Sequence, residues 1–256
     1  MSKENNVFLN ITNGNLALPI NISENRFFTK QNIAYNVGRL SQKVGGNLIS
    51  IKNSSYIQAL DSINLDLKSG DRVGLIGHNG SGKTTLLKAL AGIYPLSSGK
   101  VTSHGIISAF ISQGVGHNPE SSAIDYLTYQ CMLRGIEKAE TEKTITEILE
   151  FIELGVFINF PIRTYSSGMQ ARLFASSALF FPCEILLLDE GIGAGDQNFY
   201  DKFQKKLDSF FKNSKIMVIA SHNKSLLQLW CNRGIVMNSG KMVFKGKIED
   251  CLKYYS

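Results

Sequence analysis

The run Gly77-His78-Asn79-Gly80-Ser81-Gly82-Lys83-Thr84-Thr85 fits G-x-x-x-x-G-K-[ST], the pattern of a phosphate-binding loop. Its three glycines permit tight turning, so that successive backbone N–H groups converge on phosphate oxygens. Lys83 is placed to neutralise β- and γ-phosphates, and Thr84 to offer a hydroxyl to Mg²⁺. The flanks agree: Arg72–Ile76 reads as a short buried strand and Leu86–Ala91 as the start of a helix. That helix adds the partial positive charge of its N-terminus to the anion site. These residues therefore read as a site for a nucleoside triphosphate.

Three other groups of residues could act on the same phosphates. Asp189 and Glu190 follow the uniformly apolar Ile185–Leu188. A carboxylate at the end of such a strand can hold Mg²⁺ (Asp189), and its neighbour (Glu190) can polarise an attacking water. Ser166 and Gly168, in Tyr165-Ser166-Ser167-Gly168-Met169-Gln170, open a helix whose N–H groups and serine hydroxyl suit a phosphate. His222 follows another apolar stretch, Ile216–Ala220.

The elements needed to position these groups can be read from the same chain. Residues 7–12 look like a first strand, turning at Asn13-Gly14, and strands are expected at 48–53 and 57–67. Two short strands follow near Val101 and over 106–111. Between 119 and 164 the pattern becomes helical, with candidates at 121–134 and 141–154, the latter carrying Ile145, Ile148, Leu149 and Ile152 at helical spacing. A helix over 197–212 should bury Phe199, Phe203, Leu207 and Phe210. A helix over 224–231, a hairpin around Asn238-Ser239-Gly240 and a helix over 248–255 complete the pattern. This is an α/β chain, with a mainly parallel sheet, an antiparallel β part and a helical insertion. The expected layout is one domain over 1–256, with a nucleotide-binding core at 48–118 and 165–246, a helical subdomain at 119–164 and an N-terminal portion at 1–47.

Composition sets wide bounds. The chain has 256 residues, 43% hydrophobic and 19% charged, with net charge +6. That is ordinary for a globular protein and too diffuse to name a partner. The start of the chain lacks the apolar core of a signal peptide, and no uninterrupted apolar stretch is long enough to span a bilayer. Cysteines 131, 183, 231 and 251 are scattered without a C-x-x-C pair, so a reduced, cytoplasmic setting is expected. The basic, aromatic residues 26–43, including Arg26, Lys30, Arg39 and Lys43, are compatible with a membrane-surface helix or an ordinary half-buried segment.

In this order and spacing, the motifs resemble those of ATP-binding cassette (ABC) ATPases over roughly residues 48–246. The Tyr165–Gln170 segment is similar to their L-S-G-G-Q signature, although Ser167 and Met169 stand where Gly and Gln are usual. The resemblance implies a P-loop fold, ATP and Mg²⁺ as ligands, and a homodimer in which Ser166 and Gly168 serve the nucleotide of the other subunit. It implies that His222 contacts the γ-phosphate and that Asp196, in Ala194-Gly195-Asp196, crosses the dimer interface. It also implies a Mg²⁺-sensing glutamine, for which Gln113 is the candidate, with Ser112 the alternative register. An adenine-stacking aromatic is expected upstream of the phosphate loop. Tyr56 is the candidate, with Phe27, Phe28 and Tyr35 as competitors and core packing as the other role for it. Catalytic roles are expected for Glu190, His222 and Lys83, and metal contacts for Thr84, Gln113 and Asp189.

The phosphate loop, the Tyr-Ser-Ser-Gly-Met segment, Asp189–Asp196, Leu90–Tyr94 and Pro161–Tyr165 look most like the ATPase subunits of polysaccharide exporters. The expectation is a peripheral subunit on the cytoplasmic face of the inner membrane. It would drive lipid-linked O-antigen, capsule or teichoic-acid chains through a separate permease, without a C-terminal carbohydrate-binding domain and without a nucleic-acid partner. An ABC ATPase exporting another lipid or a drug, and a soluble P-loop phosphotransferase, are the alternatives.

Overall fold

The computed structural model describes residues 6–19, 47–51, 54–111, 117–189 and 197–255. Contacts divide the chain into two compact units.

The first unit is built on two sheets. One is antiparallel, in the order β2-β3-β1-β5, from β1 (Phe8–Pro19), β2 (Asn47–Ile51), β3 (Ser54–Lys68) and β5 (Ser98–His104). The other has the order β10-β9-β4-β8-β7-β6. It comprises β4 (Arg72–Ile76), β6 (Ile107–Phe110), β7 (Ile185–Leu188), β8 (Ile216–Ala220), β9 (Arg233–Asn238) and β10 (Lys241–Lys247). All its pairings are parallel except that of β9 with β10. Every residue of β7 and β8 is buried, which is why both read as unbroken apolar runs rather than alternating ones.

The main core unites side chains of both sheets, among them Leu9, Leu60, Leu67, Leu75 and Val218, with Leu86, Leu87 and Leu90 of helix α1 (Lys83–Leu90). The β4 strand that delivers the phosphate loop lies between β8 and β9, so its backbone is paired on both edges. Asp71 fixes its entry: its Oδ2 accepts from Lys68 N at 2.9 Å and pairs with Arg233 at 2.8 Å.

The second unit is helical: α2 (Ala123–Leu133), α3 (Lys138–Ile152), short 3₁₀ turns at Gly155–Asn159 and Ile162–Thr164, α4 (Ser167–Ala178) and α5 (Gln197–Asn213). A reciprocal cap between Ser122 and Asp125 starts α2 and holds the Asp125 carboxyl below its ordinary range, chiefly through the Ser122 hydroxyl. Its core gathers Leu127, Ile148, Ile152, Ile162, Leu173 and Phe181. Helices α6 (Lys224–Trp230) and α7 (Ile248–Tyr255) belong to the first unit.

Two expectations need correction. The chain does not turn back at Asn13-Gly14. β1 runs straight through, absorbing the two residues as register shifts against β3, with Asn13 at φ 47°. On α5 the buried aromatic is Phe211, 5% exposed, and not Phe210. Phe199, Phe203, Leu207 and Phe211 form one uninterrupted i, i+4 row, whereas Phe210 sits off it.

The β9–β10 hairpin supports the phosphate loop directly. Gly240 N–H donates to Ser81 O at 2.9 Å, and Gly240 O accepts from Asp61 N at 2.9 Å. Gly240 has φ +80°, and a Cβ there would lie 2.6 Å from Ala59 O. Replacing Gly240 with Ala should cost about 2 kcal/mol or more, from the left-handed backbone plus the clash, measured by denaturant unfolding. A change within about 0.5 kcal/mol would show that the hairpin is not held against β3 in solution.

The thiols give a second check. Burial raises those of Cys131 and Cys251 and pushes that of Cys231 up to about 12, while Cys183 is half-exposed. Because the thiolate is the reactive form, at pH 8 a maleimide should modify Cys183 in the native protein and the other three only after unfolding. Mass spectrometry of the labelled protein reads this out.

Candidate nucleotide site

Gly77–Gly82 form the loop between β4 and α1, and its shape depends on residues that lack a side chain. Gly77 has φ +155°, and a Cβ there would fall 2.5 Å from both Met237 O and Ser81 Oγ. Helix α1 starts at Lys83 with no side-chain cap and no acidic residue in its first turn, which leaves its N-terminus facing the loop's concavity. Lys83 is 7% exposed, and its Nζ donates to Gly77 O at 2.6 Å and to His78 O at 3.2 Å. The ammonium is thus held inside the loop by backbone oxygens, at the place where phosphate oxygens would compete for it.

Thr84 Oγ1 donates to Asp189 Oδ2 at 2.6 Å. Two hard oxygen donors, one from the start of α1 and one from the end of β7, therefore meet at one point. That pairing fits Mg²⁺, which takes few protein ligands and completes its shell with phosphate oxygens and water. Among the described residues there is no cluster of three or more His, Cys, Asp or Glu that could hold a metal.

His222, just beyond β8, reaches the loop: Asn79 Oδ1 accepts from its Nε2 at 2.8 Å. His78 also lies at the loop, with Nδ1 donating to Asn79 O at 2.8 Å and Nε2 meeting Asn238 Oδ1 at 3.2 Å. The first unit therefore brings Lys83, Thr84, Asp189 and His222 to one loop. A cleft of about 250 Å³ opens there, lined by Leu18, Asn79, Gly80, Gly82, Lys83, Thr84, Thr85, Lys88, Tyr94 and Asp189.

Tyr56 is not part of this lining. It is half-buried and pairs with Pro19, one step beyond the Leu18–Ile57 pair, so it projects from the opposite face of the sheet to Leu18. Sequence reasoning missed Leu18 and Lys88. The available signal for Lys88 was its place one turn beyond Thr84 on the same helical face; for Leu18 there was none, since it reaches the cleft only through the pairing of β1 with β3. Glu190, Gln113, Ser112, Asp196 and residues 26–43 lie outside the described residues.

In the second unit, Ser166 caps α4: its Oγ accepts from Met169 N at 3.2 Å. A Cβ on Gly168 would meet only Ser166 Oγ, at 3.9 Å. The glycine thus leaves open space over the first turn. The hollow beside it, about 510 Å³, is lined by Glu153, Leu154, Phe157, Ser166, Gly168, Met169 and Arg172. It is an open helix start with a cationic side chain close by, the chemistry an incoming anion requires.

If Thr84 and Asp189 share a metal, Thr84→Ala and Asp189→Asn should each weaken nucleoside-triphosphate binding about tenfold or more in Mg²⁺. In EDTA each should stay within about twofold of wild type. Equal losses under both conditions, measured by equilibrium titration, would assign the pair a purely structural role.

Residues 60–193 match the family model described as ABC transporter. The O-antigen export system ATP-binding protein RfbE of Yersinia enterocolitica is 40% identical over 227 residues, which span 89% of this chain and 91% of that protein. RfbB of Myxococcus xanthus, also named an O-antigen export ATP-binding protein, is 37% identical over 80% of this chain, and TagH of Enterococcus faecalis, a teichoic acids export ATP-binding protein, is 39% identical over 77%. The matched regions are 47% and 44% of those two proteins, so this chain spans about half their length. Among solved structures, the dimeric ATP-binding cassette MJ0796 with ADP and Pi superposes with TM-score 0.64 at 21% identity, over 94% of this chain and 98% of that one. The ATP-binding subunit of an ABC transporter does so with TM-score 0.69 at 15% identity, over 97% and 93%. These structural likenesses bear on the fold, which is that of an ABC cassette. By the family match and the relatives at 37–40% identity, the chain belongs to the ABC transporter family.

Proposed function

We propose that the chain is the ATP-hydrolysing subunit of an exporter that moves a lipid-linked polysaccharide, of O-antigen, capsule or teichoic-acid type, through a separate membrane-spanning permease. The observation that carries the nucleotide half is the convergence of Lys83, the Thr84–Asp189 pair and His222 on one uncapped helix start. The substrate half is supported by the relatives, which are O-antigen and teichoic acids export ATP-binding proteins by name. Among the described residues no helix is long and apolar enough to cross a membrane; the separate permease of this reading is supported by the export-system names of the relatives. The place of action we infer is the cytoplasmic face of the cell membrane.

In this reading the loop N–H groups and Lys83 hold the triphosphate, and the Lys83 ammonium shifts from backbone oxygens to phosphate oxygens as it binds. Thr84 and Asp189 would hold Mg²⁺, with Gln113 as a further contact. The bound metal supplies charge neutralisation and orients the phosphates. Glu190 accepts a proton from the water whose oxygen bonds to the γ-phosphorus, the bond from that phosphorus to the bridging β-phosphate oxygen breaks, ADP and inorganic phosphate leave, and His222 turns from Asn79 to the γ-phosphate. Two copies face each other, so that Ser166 and Gly168 of each close over the nucleotide of the other, with Asp196 at the interface. Nucleotide that contacts both copies favours the closed dimer, and hydrolysis removes that preference.

The test is Glu190→Gln beside wild type, with ATP and Mg²⁺. The variant should lose turnover by about a hundredfold or more and accumulate as a nucleotide-bound dimer on sizing chromatography. Wild-type hydrolysis strictly linear in protein at high dilution, together with a monomeric variant, would favour a soluble phosphotransferase instead.

A further inference from the structure

The β9–β10 turn grips the phosphate loop through side chains as well as through its backbone. The backbone contact is Gly240 N–H to Ser81 O, near the end of the loop. The side-chain contact is near its start, where His78 Nε2 and Asn238 Oδ1 meet at 3.2 Å across 160 positions of sequence. The same ring closes on the loop itself, with Nδ1 donating to Asn79 O at 2.8 Å.

The two ring nitrogens have different tasks. Asn79 O can only accept, so Nδ1 carries a hydrogen. Asn238 presents an amide, which accepts from the Nε2–H of an imidazolium and, turned over, donates to the lone pair of a neutral ring. The bridge therefore holds in either protonation state of His78. Both residues are exposed, so the bridge contributes little to the core. What it constrains is the path of the loop. Gly80 and Gly82 sit in left-handed backbone at φ +80° and +105°, and glycine leaves the chain many other conformations. Every tie already made in the empty protein is ordering that an incoming triphosphate does not have to supply.

We propose that His78 is a positioning residue for the triphosphate. Its ring, tied to Asn238, pre-sets the phosphate loop from the β9–β10 turn and makes that turn a working part of the nucleotide site. This rests on the nucleotide-binding reading above. Because the ring acts through the loop's N–H groups, it affects the phosphates whatever base they carry. It also favours bound substrate and transition state alike, so its loss appears in KM and not in kcat.

The experiment is equilibrium binding of ATP and of inorganic tripolyphosphate to the full chain in Mg²⁺, with steady-state hydrolysis alongside. His78→Ala should weaken both probes about three- to tenfold, the range of one lost hydrogen bond, and leave kcat within about twofold. A glutamine amide nitrogen falls about where Nε2 lies, and that of asparagine about where Nδ1 lies. His78→Gln should therefore keep both probes within about twofold of wild type, whereas His78→Asn should behave as His78→Ala. Asn238→Ala should match that loss, and the double variant should lose no more than about twofold beyond either single one. The proposal is overturned if glutamine loses as much as alanine, if the single losses multiply in the double variant, or if kcat falls while KM holds. Lys83→Ala separates the two levels. It should weaken both probes, and if it weakens neither, the nucleotide reading fails independently of His78.

Discussion

A buried ammonium group governs the architecture of the site. Lys83 is nearly excluded from water, and a buried cation is tolerated only where oxygens surround it. The loop supplies those oxygens from its own backbone, at Gly77 and His78. That in turn requires a chain path open only to glycine at Gly77, where neighbouring atoms occupy the volume of a side chain. A strand paired on both edges holds one end of the loop, and a helix locked into the core by Leu86, Leu87 and Leu90 holds the other. The surrounding protein is a clamp that fixes a few backbone oxygens and N–H groups against one charge.

Local chemistry made some of this legible in the sequence. The phosphate loop, the fully buried β7 and β8 and the Ser166 cap are each determined by neighbouring residues, and the chain shows them plainly. What escaped was decided by pairing at a distance. Asn13-Gly14 has the composition of a turn, yet β3 on one side and β5 on the other keep β1 extended through it. Tyr56 has the right chemistry for a base platform and lies on the wrong face of its sheet, because strand register alone selects the side. Phe210 and Phe211 are the same residue type, and only the exact phase of α5 separates buried from half-buried.

The helical unit has a different basis of stability. Its helices meet through aromatic and cation–π contacts as well as aliphatic packing: Phe151 lies edge-on to both Phe180 and Phe199, and Arg172, Lys202 and Lys206 sit over Phe199, Phe151 and Phe180. Such contacts let a long cation cover an aromatic surface while its charged end stays in water. The Ser166 cap thus stands on a unit with its own core, which keeps the start of α4 formed without help from a bound anion.

The hairpin turn at Gly240 ties the order of synthesis to the onset of binding. Ser81 receives its N–H donor, and His78 its Asn238 partner, from residues about 160 positions further along the chain. The β4 strand likewise gains both its neighbours, β8 and β9, only from residues beyond 215. A nascent chain that has exposed the whole phosphate loop still lacks the strands and turn that give the loop its shape. The loop therefore matures late on the ribosome, and a polypeptide interrupted before its hairpin would carry the complete motif without a working nucleotide site.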